Sequence, residues 1–266
     1  MLKAAVAGAA GRMGTAIIQV IDETDGVCLA GALEHSKHPL LGKDAGNMAG
    51  CGKSDVTLVD DMTEFPSDPD VLIDFTSPGA TMDNLALCVK RGISAVIGTT
   101  GLSSDQYSEV ENLAQKIPVV YSPNMSVGVN LLFKLARLAA SSLGDGYDAE
   151  IVETHHRLKR DAPSGTAMKL AEIVAEAKGR DLARDGVFAR HGMIGERSDE
   201  EIGIQTLRAG DIVGEHTLLL AGPGERLELT HRAHSRDNFA NGAVRAALWL
   251  AGKKPGLYTM ADVLGL

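Results

Sequence analysis

At 266 residues the chain is long enough for one large domain or two modest ones. Hydrophobic residues at 44% and charged residues at 23% are ordinary for a globular protein, while 4% aromatics and 30 glycines suit α/β packing better than an all-β sandwich. A formal net charge of −9 argues against nucleic acid as a partner, and no apolar run reaches membrane-spanning length.

The chain enters a strand at once (residues 2–7), without the charged and apolar regions of a secretory leader. Cys28, Cys51 and Cys88 are far apart and form no Cys-x-x-Cys pair, so a soluble cytoplasmic protein is expected. The first strand ends in Gly8-Ala9-Ala10-Gly11-Arg12-Met13-Gly14, and Ala16, Ile17, Val20 and Ile21 follow at helical spacing. Strand, glycine turn and helix together form the context in which G-x-x-G-x-x-G receives a pyrophosphate at a helix N-terminus. A second apolar run, Val27–Leu33, ends in Glu34, where the ribose hydroxyls of an adenine dinucleotide are usually held. His35, Ser36, Lys37 and His38 follow and offer cations for a 2′-phosphate, leaving both NAD and NADP open.

Residues 39–55 are glycine-rich without a period and read as a loop. Short apolar runs recur at 56–59, 71–75, 93–97 and 119–121, with helical patterns at 79–91 and 103–116. Such alternation predicts a parallel sheet covered on both faces. Phe75–Gly79, Gly98–Gly101 and Ser122–Ser126 lie at strand carboxyl ends, where open α/β sheets bind ligands. A long helix is predicted over 127–142 and a strand over Tyr147–Thr154. Residues 179–200 read as charged and irregular, and 202–207, 212–220 and 227–232 as an antiparallel set. The change of pattern places a domain boundary near 126. The apolar stripe of 236–250 predicts a helix returning to the first domain.

Chemistry concentrates in His155-His156-Arg157-Leu158-Lys159-Arg160-Asp161-Ala162-Pro163-Ser164-Gly165-Thr166. Two imidazoles and three fixed cations precede a helix start whose N–H groups, at Ser164, Gly165 and Thr166, can receive carboxylate oxygens. The pattern describes a pocket that grips a small anion and hands it a proton; a solvated basic strand end before a capped helix is the plainer alternative. Strand alternation places His155 and Lys159 on one face. It also separates His155 from His156, and no Cys or acidic partner sits at zinc-like spacing, so no metal is expected. No nucleophile elbow or Walker phosphate loop is present. Hydride transfer from a nicotinamide cofactor is the economical reading.

The chain resembles, essentially end to end, the 4-hydroxy-tetrahydrodipicolinate reductase (dihydrodipicolinate reductase) family of the bacterial diaminopimelate and lysine pathway. The matching stretches are Val6–Gly14, Ile73–Thr76, Gly98–Gly101, Asn124–Asn130, Glu153–Ala167, Arg208–His216 and Phe239–Arg245. The resemblance implies an α/β fold in which 1–126 and 236–266 form a Rossmann-like dinucleotide-binding domain. Residues 127–235 would form an α+β mixed-sheet domain that binds substrate and assembles a homotetramer. It implies NADH- or NADPH-dependent reduction of a small cyclic dicarboxylate at C4, after loss of the 4-hydroxyl as water.

Carried over by motif, His155 is the acid–base residue and Lys159 a proton donor. His156, Lys159, Ser164, Gly165 and Thr166 hold the substrate carboxylates. Gly8, Ala9, Ala10, Gly11, Arg12, Met13, Glu34, His35, Gly98, Thr99, Thr100, Ser122, Pro123, Asn124 and Met125 contact the cofactor. His35 stands where many relatives have Arg, which implies a pH-dependent 2′-phosphate clamp and a lean to NADH. Leu158 stands where a His is common. Two rivals are an amino-acid or semialdehyde dehydrogenase, disfavoured by the missing reactive cysteine and by His-His-x-x-Lys, and a non-catalytic NAD(H) sensor, which has no use for two proton donors beside an anion site.

Overall fold

Strand β1 (Leu2–Ala7) is buried over its last four residues, all alanine or valine, so neither of its faces is polar. A strand so composed needs cover on both sides, which parallel sheets provide. In the computed structural model, which describes residues 1–266, β1 pairs in parallel with β2 (Val27–Leu33) and β4 (Val71–Asp74). The sheet continues through β5 (Ser94–Ile97), β6 (Pro118–Tyr121) and β12 (Gly256–Tyr258) on one side and β3 (Leu58–Val59) on the other. All seven strands are parallel. On one face, Val6 and Ile73 pack with Ile17 of α1 (Arg12–Glu23) and Val244 and Ala247 of α8 (Asp237–Leu250). On the other, Ala7 and Leu72 pack with Leu85 and Cys88 of α3 (Pro78–Arg91) and Val110 of α4 (Ser104–Ala114). This is a Rossmann-like arrangement.

The chain divides into two units, Met1–Val127 with Arg236–Leu266, and Gly128–Ser235. The second contains α5 (Val127–Leu143) from its second residue on, β7 (Asp148–His155), α6 (Gly165–Ala177), α7 (Leu182–Asp185), β8 (Gly186–Val187), β9 (Ile202–Arg208), β10 (Gly214–Gly222) and β11 (Glu225–Ala233). Its five-stranded sheet runs β11-β10-β7-β9-β8. Ala149, Ile151, Ile204, Leu218 and Leu220 bury one face against Leu170, Ala171 and Val174 of α6. No helix is long and apolar enough to cross a membrane.

Several expectations need correction. Residues 202–232 are not a purely antiparallel set: β10 and β11 form a hairpin, but β9 runs parallel to β7, which lies between β9 and β10. The Ala209–Asp211 turn therefore passes over the end of β7, where the Ala209 N–H donates to the His155 carbonyl at 2.9 Å. Residues 39–55 contain a short helix, α2 (Ala45–Ala49), whose cap Asp44 accepts the N–H groups of Asn47 and Ser54. The C-terminal strand β12 and helix α9 (Met260–Leu264) escape a pattern reading, being only three and five residues long. The strand predicted over 147–154 runs from Asp148 to His155, and the chain turns at once, with the Lys159 N–H donating to the His156 carbonyl. Alternation therefore cannot carry a face from His155 to Lys159.

Candidate active site

Within the second unit, alternation along β7 puts Ala149, Ile151, Glu153 and His155 on one face. The first two enter the core, and Glu153, with no exposed surface, continues the same row as a buried carboxylate. Sheet register supplies its neighbours: Thr206 of β9 and His216 of β10 both lie opposite Glu153, and Arg208 lies opposite His155. Glu153 Oε1 accepts from the Ser164 N–H (3.0 Å), Thr206 Oγ1 (3.2 Å) and Arg208 Nη2 (3.0 Å). Its Oε2 accepts from Arg208 Nη1 (2.9 Å) and meets His155 Nδ1 at 2.5 Å. A buried carboxylate needs this much compensation. Burial disfavours its ionisation, but the bonds from Arg208, His155 and Ser164 outweigh burial and hold its pKa below the ordinary carboxylate range.

His155 is pulled the other way. Burial lowers its pKa, the Glu153 carboxylate opposes that, and the Lys159 and Arg208 charges lower it further, for a net fall. His216 packs edge-to-face on His155, with ring centroids 5.1 Å apart. Burial, reinforced by the charge of His155, pushes its pKa down to about 3, so it is a neutral imidazole at physiological pH. Lys159 is close enough to act on both rings electrostatically and is itself ion-paired to Asp161 at 2.8 Å. His156 carries a buried Nδ1 with no partner in the protein.

At the start of α6, Ser164 caps the Ala167 N–H at 3.2 Å and touches His216 Nε2 at 2.9 Å. Its side chain is buried and turned inward, where it joins the start of α6 to His216. Gly165 is exposed, and the space that a Cβ there would fill is open. Thr166 follows in the same first turn. Leu158 is 79% exposed.

Within the first unit, Gly8 has φ +66 and starts the turn that β1 and α1 share. Gly11 caps α1 without a side-chain hydrogen bond, so the first-turn N–H groups face no protein side-chain acceptor there. Gly14 lets the helix close on the turn: a Cβ there would lie 2.1 Å from the Gly8 carbonyl oxygen. The Glu34 carboxylate accepts from the Ala10 N–H at 3.3 Å and the His35 N–H at 3.0 Å, tying the end of β2 to the glycine turn. A cavity of about 440 Å³ is lined by Gly8, Gly11, Glu34, His35, Phe75, Thr76 and Ser77, among others. A second, of about 300 Å³, is lined by Met13, Gly98, Thr99, Thr100, Pro123, Asn124, Met125, Arg236 and Phe239, and shares Phe75 and Thr76. An uncapped helix N-terminus, a carboxylate at the end of β2 and two cavities with a common wall fit an extended dinucleotide. Ala9 is buried, Arg12 is exposed at the first position of α1, and the Ser122 hydroxyl donates to the Asn124 carbonyl, shaping its loop.

Sequence reasoning gave no role to Glu153, Thr206, Arg208 or His216. The signal for Glu153 was available, because it lies two residues before His155 on one strand face. It also missed Arg236 and Phe239, and Asp74. The last is a buried carboxylate at the end of β4 that accepts from the Thr76 N–H (2.9 Å) and hydroxyl (2.6 Å), Thr81 (3.2 Å) and Asn84 (2.8 Å), holding the 75–77 loop in shape.

Residues 2–125 match the family model "Dihydrodipicolinate reductase, N-terminus", and residues 128–264 match "Dihydrodipicolinate reductase, C-terminus". The 4-hydroxy-tetrahydrodipicolinate reductase of Syntrophotalea carbinolica is 59% identical over 266 residues, covering 100% of both chains. That of Syntrophus aciditrophicus is 54% identical over 265 residues, covering 100% of this chain and 99% of the relative. The dipicolinate-bound dihydrodipicolinate reductase from Paenisporosarcina sp. TG-14 superposes with a TM-score of 0.77 at 26% identity, covering 98% of each chain. An oxidoreductase from Agrobacterium radiobacter in complex with NAD+ (TM-score 0.59, 12% identity, 99% and 92% covered) shares the fold. The chain belongs to the dihydrodipicolinate reductase family.

Proposed function

We infer that this protein reduces 4-hydroxy-tetrahydrodipicolinate to tetrahydrodipicolinate at the expense of a reduced nicotinamide cofactor, a step of lysine biosynthesis through diaminopimelate. The observation that carries the reading is the cluster at the end of β7. It combines a carboxylate-held imidazole, a lysine, an unpartnered buried His156 Nδ1 and a helix N-terminus with open space at Gly165. In each turnover the ring loses its 4-hydroxyl as water and gains one hydride at C4 and one proton. A bound reduced nicotinamide supplies the hydride. His155 and Lys159 are the groups that hold and move the proton, and an acid beside the ring lowers the barrier as electrons shift toward the ring nitrogen.

His156, Lys159 and the backbone of Gly165 and Thr166 hold the substrate carboxylates, with Asp161 releasing Lys159 as the anion arrives. Gly8, Gly11, Arg12, Met13, Glu34, His35, Gly98, Thr100 and the Pro123–Met125 loop hold the cofactor. Glu34 favours a free 2′-hydroxyl and His35 supplies no fixed charge, so both cofactors serve, with NADH preferred. A cytoplasmic homotetramer built on the mixed sheet belongs to the same proposal, with edge strand β11 exposed along most of its length.

The test is oxidation of NADH and of NADPH, coupled to a synthase that supplies the unstable substrate, with His155→Ala and Lys159→Ala alongside. We expect turnover in the wild type and losses of about 100-fold or more in both variants with cofactor binding intact. No turnover with either cofactor, despite tight binding of both, would replace the reductase with a sensor. An NADPH efficiency about tenfold the higher would reverse the cofactor preference.

A further inference from the structure

We propose that Glu153 is a positioning residue of the reaction: its buried carboxylate commits His155 Nδ1, so that His155 exchanges protons with the substrate through Nε2 alone. The proposal rests on the reductase reading above for its chemistry, and on the geometry of β7 for its mechanism.

An ionised carboxylate only accepts hydrogen bonds, so the 2.5 Å contact with Oε2 requires that His155 Nδ1 carry the hydrogen. Glu153 stays ionised because Arg208 binds both of its oxygens, and Ser164 and Thr206 add two donors to Oε1. The hydrogen bond that the His155 side chain makes within the protein goes through Nδ1, which leaves Nε2 to the ligand. The ring packs on the backbone of Gly214, where a Cβ would lie 2.9 Å from Nε2, so the glycine lets the imidazole settle with that nitrogen bonded to no protein group. A neutral imidazole prefers neither arrangement strongly enough to guarantee this one, so a fixed partner on one nitrogen sets which nitrogen serves as acid and base. Nε2 first takes a proton from solvent to give the imidazolium; that proton passes to the substrate, and the ring returns to its neutral form with Nδ1–H still bound to Glu153.

The arrangement makes a specific prediction for Glu153→Gln. Oε1 of Glu153 faces three donors: Ser164 N–H, Thr206 Oγ1 and Arg208 Nη2. Oε2 faces two, Arg208 Nη1 and His155 Nδ1, so a glutamine keeps its carbonyl at the three-donor end, gives up the Nη1 bond and turns its NH2 toward His155. The amide then donates to Nδ1, and the imidazole hydrogen moves to Nε2. Charge is lost and the tautomer reversed, while the side-chain shape is preserved.

The experiment is long-range proton–nitrogen correlation NMR of the full chain labelled at histidine nitrogens, with His155 assigned by the signal missing in His155→Ala. Turnover and its pH profile are measured on the same samples. We expect neutral His155 in the wild type to carry its hydrogen on Nδ1, and Glu153→Gln to carry it on Nε2. In that variant kcat should drop by about 10²–10⁴, with the KM for the cofactor unchanged. A wild-type spectrum with the hydrogen on Nε2, or a Glu153→Gln variant that keeps kcat within about threefold, would overturn the proposal. The wild-type spectrum decides even if the variant does not fold. It also separates the two readings: absence of turnover in the wild type removes the reductase, whereas the tautomer reports on Glu153 alone.

Discussion

Replacing Arg208 with methionine tests whether the buried carboxylate beneath His155 depends on its guanidinium. Glu153 has no exposed surface and takes two of its five hydrogen bonds from Arg208, at 2.9 and 3.0 Å. Removing one partner of a buried ion pair costs about 3–5 kcal/mol, because the other charge stays behind without compensation. Arg208 is 20% exposed, so water reaches the site when it is cut back, and the lower end, about 3 kcal/mol, is expected at neutral pH.

The pH dependence identifies the cause. In the wild type the Glu153 pKa is depressed, so its contribution to stability is present above the unfolded value of 4.5 and is lost as pH falls through the folded one. In Arg208→Met burial prevails and the folded pKa rises. The protonated form then suits the fold, and stability is lost as pH rises through that value. The deficit relative to wild type should therefore shrink between about pH 7 and about pH 5, and protonation of His155 beside the same carboxylate works in the same direction. Urea unfolding at both pH values and one protein concentration measures it. A deficit below about 1 kcal/mol, or one equal at both pH values, would refute the reasoning.

Two other predictions come from the same unit. Gly165→Ala should raise the KM for the substrate about tenfold or more while leaving the unfolding midpoint unchanged or slightly higher, because alanine is favoured over glycine in a helix by about 0.5–1 kcal/mol and meets open space here. A large fall in stability would show that the glycine serves the fold. His216, with its pKa depressed from 6.5 to about 3, stays neutral in the fold but is protonated in the unfolded chain below 6.5. Its stabilising contribution is therefore present above pH 6.5 and lost toward pH 3, at up to about 1.4 kcal/mol per pH unit. His216→Gln should flatten the acid limb of a stability–pH curve measured by urea unfolding. An unchanged limb would mean that His216 is protonated in the native state.

What the sequence conveys and what it withholds follow from the range of the interactions involved. The glycine turn after β1, the run of buried strands and the His-His-x-x-Lys stretch are local patterns, read within a window of about a dozen residues. The support beneath His155 is not local. Thr206 reaches Glu153 and His216 packs on His155 only because β9 and β10 flank β7, and Arg208 reaches Glu153 through the same register. The alternation of 202–232 is equally compatible with a simple antiparallel meander, and no periodicity distinguishes the parallel insertion of β9 from it. The helix α2 is short for another reason. Its five residues are held by the Asp44 carboxylate, which accepts from Asn47 and Ser54, and by contacts of α1, so propensity contributes little to its formation. The alternation argument that paired His155 with Lys159 fails on its premise, because the strand stops at His155. A turn follows, from which the Lys159 charge still acts on the ring.

The glycines of the two sites show how the units divide the work. At Gly14 and Gly98 the fold itself excludes a side chain: a Cβ would lie 2.1 Å from the Gly8 carbonyl oxygen in the first case and 2.3 Å from the Phe75 ring in the second. Those positions would be glycine whether or not anything bound nearby, so a glycine-rich motif alone reports packing as readily as a ligand. Gly165 is different. It has helical backbone, no neighbour within 4 Å of a Cβ, and no packing reason to be glycine. Its missing side chain leaves the room that the proposed carboxylate site needs. On the proposed assignment, the cofactor half is specified by close backbone packing that builds a shape, and the substrate half by charges held in place around an open position. A substitution in the first should be felt as lost stability together with lost cofactor affinity. In the second, turnover and pH dependence can change while the fold stays intact, except at Glu153 and Arg208, where the charge is also part of the core.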